Sequence, residues 1–359
     1  MKAKRLNNRS AAEKKRLLYR GILYLCGTVA IITLGYFIAE RIYTGKQSTQ
    51  NEQDVQDERL ADTAAITYEE QDYLPKTGLT TILLMGIDRD LDDNEKMISA
   101  RNGGQADFLA LMIIDSNNDT ITRLQIDRDT MAEVTVLGIL GNTVGTKSMQ
   151  ICLAHGFGDG REQSCQLTVE AVERLLYDIQ IDAYLAVNLQ GIGAINDALS
   201  GVCVPIEDDF SAYDETMVSG TVMRLTAQQA EYFVRKRIDI GEGTNESRMR
   251  RQSVYIVNAI KQASQLMEDD IDYADVLFDA AEPYMTTDMS RGRIINLMNS
   301  AKDYKVNTEP LTIPGEYGKG EDSFVEFHAD EDALHQLVLD TFYETAHSTT
   351  SHDSVTIGD

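Results

Sequence analysis

The sequence predicts an α/β domain with a mixed central β-sheet flanked by helices, preceded by one transmembrane helix. Three observations predict it. Short apolar runs of strand length recur between residues 79 and 345, and amphipathic stretches of helical period intermix with them. Two of the runs are joined by the turn-forming Asn117-Asn118-Asp119, as in an antiparallel hairpin. Between Arg20 and Glu40 lie nineteen residues without a charge, GILYLCGTVAIITLGYFIA, about the length of helix that crosses a bilayer core.

The elements follow in chain order. Residues 1–46 carry ten Lys or Arg against two acids, so a basic segment (1–20) precedes the apolar one (21–40) and is expected in the cytoplasm by the positive-inside rule. A cleaved signal peptide shares the charged start, but its apolar core is shorter and ends in a small-x-small site that is not cleanly present here. Residues 41–78, polar, acidic and poor in large apolar side chains, read as an extracellular stalk. In the folded segment (79–345), Thr80–Gly86, Phe108–Asp115 and Thr120–Ile126 read as strands, and Thr168–Tyr177 as a helix with Val169, Val172, Leu175 and Leu176 on one face. Ala183–Asn188 reads as a strand and Gly191–Leu199 as a helix stopped by Gly201. Val202–Ile206 is a further strand. Thr226–Arg237 is expected as a helix capped by Thr226, and Arg248–Met267 as a long helix. Further helices are expected at 271–281, 290–302 and 330–345, and a strand near Glu309–Ile313. The Ser/Thr/Asp-rich end (346–359) reads as a flexible tail.

Composition narrows the function. The 359-residue chain has a net charge of −25, and −33 beyond residue 46, which argues against a general nucleic-acid binder. Four Cys with no Cys-x-x-Cys pair do not make a disulfide scaffold, a zinc ribbon or a thioredoxin-like site. Cys152 and Cys165 flank the Gly-rich stretch AHGFGDG and are open to two readings, a disulfide outside the membrane or two buried thiols. His155 in the same stretch either lines a site or is structural.

Three polar clusters stand apart from the pattern: Gly86-Ile87-Asp88-Arg89-Asp90 after the first strand; Gln105-Ala106-Asp107 and Asp127-Arg128-Asp129-Thr130 at the ends of the hairpin strands; and Arg235, Arg237, Arg248, Arg250, Arg251 and Gln252. Any one charge at a strand end is as readily a solvated rim. Five Arg within seventeen residues of an acidic domain indicate a local anion site, because the guanidinium fork suits bidentate phosphate contact. Asp88 and Asp107, at neighbouring strand ends, suit a hard divalent ion that takes one or two carboxylates and fills its shell with phosphate oxygens and water. Arginines, such an ion and carboxylates together read as phosphoryl transfer.

In their order and spacing, TILLMGIDRD, GQADFLALMIID, LQIDRDTM, DAYLAVNLQGIGAINDALSGVCVPI and VRKRIDIGEGTNESRMRRQ resemble the LytR–CpsA–Psr family of membrane-anchored cell-wall glycopolymer transferases, over roughly residues 79–345. The resemblance implies an α/β/α domain that takes a glycan from an undecaprenyl-pyrophosphate carrier and joins it to peptidoglycan through a phosphodiester. It implies Asp88 and Asp107 as ligands of Mg²⁺ or Mn²⁺. It implies Arg128, Asp129 and Arg237 as catalytic groups, and Arg128, Arg235, Arg237, Arg248, Arg251 and Gln252 as the pyrophosphate clamp. It also implies an apolar tunnel for the lipid, with Val169–Leu176 and Val254–Ile260 as candidate walls, and a cell membrane location with the domain outside. Other motif positions depart from the family. Gln105 stands for an Arg that Arg89 or Arg101 could replace, Asp127 for a Pro, and Asn245 for an Asp; Gln150–Gly156 has lost an Asn and a His. These departures keep two alternatives open: a non-catalytic lipid-linked glycan binding protein that regulates wall assembly, and a polyprenyl-pyrophosphate hydrolase.

Overall fold

The structure is a computed structural model that describes residues 66–88, 103–138, 140–270, 272–320 and 324–346. The expected cytoplasmic segment (1–20), transmembrane helix (21–40), Arg89, Arg101 and the tail beyond Ala346 lie outside the described residues. No helix among the described residues is long and apolar enough to cross a membrane.

The chain runs through β1 (Ile66–Tyr68), β2 (Gln71–Pro75), β3 (Leu79–Ile87), β4 (Ala106–Asp115), β5 (Thr120–Ile126), β6 (Met131–Leu137) and β7 (Thr143–Gln150). A 3-10 helix (Ile151–Phe157) leads to α1 (Glu162–Leu175), β8 (Ala183–Asn188), α2 (Leu189–Ala198), β9 (Cys203–Ile206), β10 (Thr221–Arg224) and α3 (Ala227–Arg235). Then come the long α4 (Asn245–Asp269), α5 (Tyr273–Ala281), β11 (Met285–Thr287), α6 (Arg291–Ala301), β12 (Lys305–Val306) and β13 (Leu311–Thr312). The chain closes with β14 (Gly315–Lys319), β15 (Val325–Ala329), α7 (Glu331–Phe342) and β16 (Tyr343–Thr345).

The central sheet has seven strands in the order β11-β8-β3-β4-β5-β12, with β13 also on β5. It is mixed, as expected: β3 runs antiparallel to β4 and parallel to β8, while β12 and β13 run parallel to β5. Alternation along the strands sorts side chains to two faces. Leu83, Met85, Leu109, Leu111 and Ile113 meet α1 and α7 through Val172, Leu334 and Val338. Ile82 and Ile114 meet α5 and α6 through Phe278 and Ile294. A third cluster packs α2, α3 and α4 around β9 and β10.

Two expectations are corrected. Ile66–Pro75, assigned to the stalk, are strands β1 and β2; β2 pairs with β16, and the Tyr68 ring lies 4.0 Å from that of His335. Their acidic surroundings hid the alternation of Ile66, Tyr68 and Tyr73. The face Val169–Leu176 does not line a tunnel: Val169, Val172, Leu175 and Leu176 belong to the core on the far side of the sheet.

Three features bring functional residues together. The β3–β4 register shifts after Gly86, which faces Phe108, so that Ile87 faces Ala106 and Asp107 is the extra residue of a bulge. The start of α4 is fixed against β5, where buried Arg123 donates to Ser253 Oγ (3.0 Å) and Gln125 Nε2 to Met249 O (3.0 Å). Thr226 forms the expected cap, with a full capping box, and so sets the direction of α3 and of the Arg235–Arg237 segment after it.

Candidate anion-binding site

The C-terminal ends of the parallel strands β3 and β8 open on the crevice where α/β sheets usually hold ligands. Asp88 follows β3, its N–H donating to Gln105 O (3.0 Å). Asp107 projects from the bulge beside it. Arg128 and Asp129 turn out of β5. Arg235 ends α3, Arg237 follows it, and Arg248 stands in the first turns of α4.

The charges interlock. Arg128 Nη1 pairs with Asp107, its Nη2 donates to Gln105 Oε1 (2.8 Å), and its Nε lies 3.4 Å from Asp129 Oδ1. Arg235 pairs with Asp88 (2.9 Å) and with Glu231 one turn back (3.1 Å). Arg248 is 6% exposed; among the described residues the one hydrogen-bond acceptor of its guanidinium is Asn245 Oδ1 (2.5 Å), and its Nε has no partner. Arg237 is exposed and acts electrostatically on Asp129 and Arg248. Burial raises the Asp107 carboxyl above its ordinary value against the pull of Arg128 and Arg248. Burial and the charge of Asp127 likewise raise Asp129, against Arg128, Arg237 and Arg248. Burial lowers the Arg248 guanidinium.

An apolar cavity of about 300 Å³ opens from this rim. Its walls include Leu84, Met112, Leu185, Ile192, Ile256 and Ile260, and its polar end is made by Asp88, Asp107, Asn188, Arg235, Arg248 and Gln252. The expected wall at Val254–Ile260 is therefore present through Tyr255, Ile256, Ala259 and Ile260.

Not every implied residue joins the rim. Arg251 is turned away and used internally, on Asp208 Oδ2 (2.8 Å), Phe233 O (3.1 Å), Ser247 Oγ (3.2 Å) and Lys236 O, with the Phe210 ring 5.3 Å from its Cζ. Gln252 reaches the cavity but spends Nε2 on Val234 O (3.1 Å). Cys152 and Cys165 are free thiols. Burial pushes each up to about 12, for Cys152 against the lowering effect of Arg128. His155 is fully buried, its Nδ1 3.3 Å from Gly104 O and its Nε2 3.9 Å from Cys165 Sγ, which favours the structural reading.

The geometry also adds residues. Asn188 caps α2 and lines the polar end; a polar residue closing an apolar strand was its sequence signal. Glu231 supports Arg235 at i, i+4, a spacing also readable in the sequence. Two of the motif departures touch: Asn245 Nδ2 donates to Asp127 Oδ1 (2.9 Å), and Tyr317 OH donates to Asp127 Oδ2. Nothing in the sequence pointed to Tyr317.

A mixed sheet with an apolar cavity capped by guanidinium and carboxylate groups defines an α/β protein able to hold an anionic head on an apolar tail. The chain belongs to the LytR_cpsA_psr family, whose sequence profile matches residues 39–341. It is similar to the polyisoprenyl-teichoic acid–peptidoglycan teichoic acid transferase TagU of Bacillus cereus, 26% identical over 325 residues, 90% of this chain and 96% of that protein. The TagU of Halalkalibacterium halodurans is 28% identical over 307 residues, 84% of this chain and 90% of its own. Among solved structures, protein gbs0355 of Streptococcus agalactiae shares the fold at a TM-score of 0.58 and 20% identity, over 74% of this chain and 88% of its own. B. subtilis TagU does so at 0.51 and 23%, over 74% and 95%.

Proposed function

We propose that this chain is a membrane-anchored transferase that moves a glycopolymer from an undecaprenyl-pyrophosphate carrier to peptidoglycan. The observation that carries the reading is the cavity itself: an apolar volume of about 300 Å³ whose polar end holds Arg235 and Arg248 beside two carboxylates. A polyprenyl pyrophosphate has the matching shape, an apolar tail and a compact anionic head. The TagU relatives, named as teichoic acid transferases, support the same reaction class.

In this reading the guanidinium groups of Arg128, Arg235, Arg237 and Arg248 hold the two phosphates, exchanging part of their pairing with Asp88 and Asp107 for phosphate oxygens. The acceptor hydroxyl oxygen attacks the phosphorus nearest the glycan. The bond from that phosphorus to the bridging oxygen breaks, and undecaprenyl phosphate leaves with the electron pair. The hydroxyl proton passes to Asp129, whose raised carboxyl suits a base better than an ordinary aspartate. Asn245 has no carboxylate for that role.

Asp88 and Asp107 fit a hard divalent ion. Each gives Oδ1 to a guanidinium and keeps Oδ2 out of the hydrogen bonds and ion pairs among the described residues. Among those residues no cluster of three or more acidic, His or Cys side chains forms, so the ion would rest on these two acids and on phosphate oxygens. When bound, Mg²⁺ or Mn²⁺ supplies positive charge against the departing phosphate.

The test is incubation of the full chain in detergent with a polyprenyl-pyrophosphate glycan and peptidoglycan oligomers, beside Arg237→Ala. A glycan–peptidoglycan phosphodiester that disappears in the variant is expected. Released glycan phosphate would instead identify a hydrolase. Tight lipid binding without product would leave a binding protein, the reading that Gln105 and Asn245 favour.

A further inference from the structure

A hydrogen-bonded line of side chains runs from the exposed Tyr317 of the C-terminal hairpin through the buried Asp127 and Asn245 to Arg248 at the anion site. Asp127, just past β5, is 4% exposed. Its Oδ1 accepts from Asp129 N (2.8 Å) and Asn245 Nδ2 (2.9 Å), and its Oδ2 from Tyr317 OH. Asn245, 8% exposed, opens α4, and its Oδ1 accepts from Arg248 Nη2 (2.5 Å). A carboxylate only accepts and a guanidinium only donates, so the amide between them has one orientation that satisfies both.

We infer that Asp127 is a positioning residue, which through Asn245 fixes the Arg248 guanidinium at the polar end of the cavity and through Tyr317 ties it to the β14–β15 hairpin. This rests on the reading that Arg248 takes phosphate oxygens. Asp127 is not among the residues that line the cavity. Its charge matters because it selects the amide orientation. With an amide at position 127, either orientation of Asn245 finds a partner there. The Arg248 guanidinium, whose one acceptor among the described residues is Asn245 Oδ1, then loses a fixed partner. Among the arginines the effect is local to Arg248: Arg128 and Arg235 have carboxylates of their own.

The test compares wild type, Asp127→Asn, Asn245→Asp and the double exchange, as full chains in detergent. Binding of geranylgeranyl pyrophosphate is measured by calorimetry. Modification of Arg248 by phenylglyoxal without ligand is followed by peptide mass spectrometry. Each single variant is expected to weaken binding roughly tenfold, the scale of a lost charge-assisted hydrogen bond, and to speed modification of Arg248. Asn245→Asp does so by placing two carboxylates in contact. The double exchange returns one acid and one amide, with Asp at position 245 accepting directly from Arg248. It should come back to within roughly threefold of wild type on both readouts. Single variants that leave both readouts unchanged, or a double variant that loses the sum of the two, would overturn the assignment. So would variants that lower only the unfolding midpoint and leave pyrophosphate affinity intact. Wild type that fails to bind pyrophosphate would count against the proposed function, while Arg248 modification would still decide the relay.

Discussion

Arg251→Met separates a ligand contact from a structural brace. The family pattern implies a pyrophosphate-binding role for Arg251, yet its side chain is 7% exposed and its pair with Asp208 is three-quarters buried on the acid's side. Removing the guanidinium strands two backbone carbonyls, Phe233 O and Lys236 O, together with Asp208. A buried donor or acceptor left unpaired costs about 1–3 kcal/mol, and breaking one side of a buried ion pair about 3–5 kcal/mol. Methionine fills much of the aliphatic volume, and water reaches Asp208, so the sum of the separate terms is not reached; about 3–5 kcal/mol is the expected loss. With a urea dependence of about 3 kcal/mol per molar for a domain of this size, the midpoint should fall by roughly 1–1.7 M. The assay is urea unfolding of the full chain in detergent, followed by circular dichroism, with pyrophosphate affinity measured on the folded protein. Affinity should fall only modestly, through loosening of the segment around Lys236 and Arg237. An unmoved midpoint with abolished binding would refute the placement and make Arg251 a ligand contact.

Four further outcomes are expected. Arg237 lowers the raised Asp129 carboxyl, so Arg237→Ala should move Asp129 to a still higher value in a carboxyl carbon NMR titration; a downward move would sever the two groups. With Asp129 as base, the wild-type transfer rate should climb as pH rises through a value above 3.8, and Asp129→Asn should remove that limb. Chelation should abolish transfer and Mg²⁺ or Mn²⁺ restore it, whereas Asp88→Asn or Asp107→Asn should raise the metal concentration needed for half-maximal rate; transfer indifferent to chelation would remove the metal. Cys152 and Cys165, pushed up to about 12, should resist iodoacetamide at pH 8 in the folded protein and react when it is unfolded, and dithiothreitol should leave the unfolding midpoint unchanged.

The central sheet was legible because buried strands leave an unambiguous record: β3, β4, β5 and β8 are apolar runs bounded by turn residues, and α3 begins at a readable cap. The β6–β7 hairpin was not. β7 is exposed along almost its whole length, so TVGTKSMQ shows no apolar alternation. Strands β1 and β2 were lost for a related reason, since a small edge sheet that half-buries Ile66, Tyr68 and Tyr73 is hard to tell from a polar linker. At the site, residue type marked the clusters, and the resemblance to the family implied that Asp88, Asp107, Arg128, Arg235 and Arg248 share one site. Spacing along α4 could not say that Arg251 faces away while Arg248 faces the cavity: three residues advance a helix by about 300°, which leaves the two side chains on overlapping faces. Their partners decide, Asp208 on one side and Asn245 on the other.

The motif departures change meaning once seen as contacts. Gln105 lacks the charge of the arginine it replaces, yet as an acceptor it receives Arg128 Nη2, so the same strand end now braces an arginine instead of supplying one. Asp127 and Asn245, read singly, are an unexpected acid and a lost acid. In contact they form an acid–amide pair with one negative charge, placed one residue further from Arg248. A lost base would leave a gap in the electrostatics around Arg248, whereas a displaced acid keeps that guanidinium held and leaves Asp129 as a raised carboxyl beside Arg128. Catalysis and simple binding then differ in one respect, whether Asp129 is free to take a proton when the anion is bound. That makes Asp129→Asn, with binding retained and transfer lost, the substitution that divides the two.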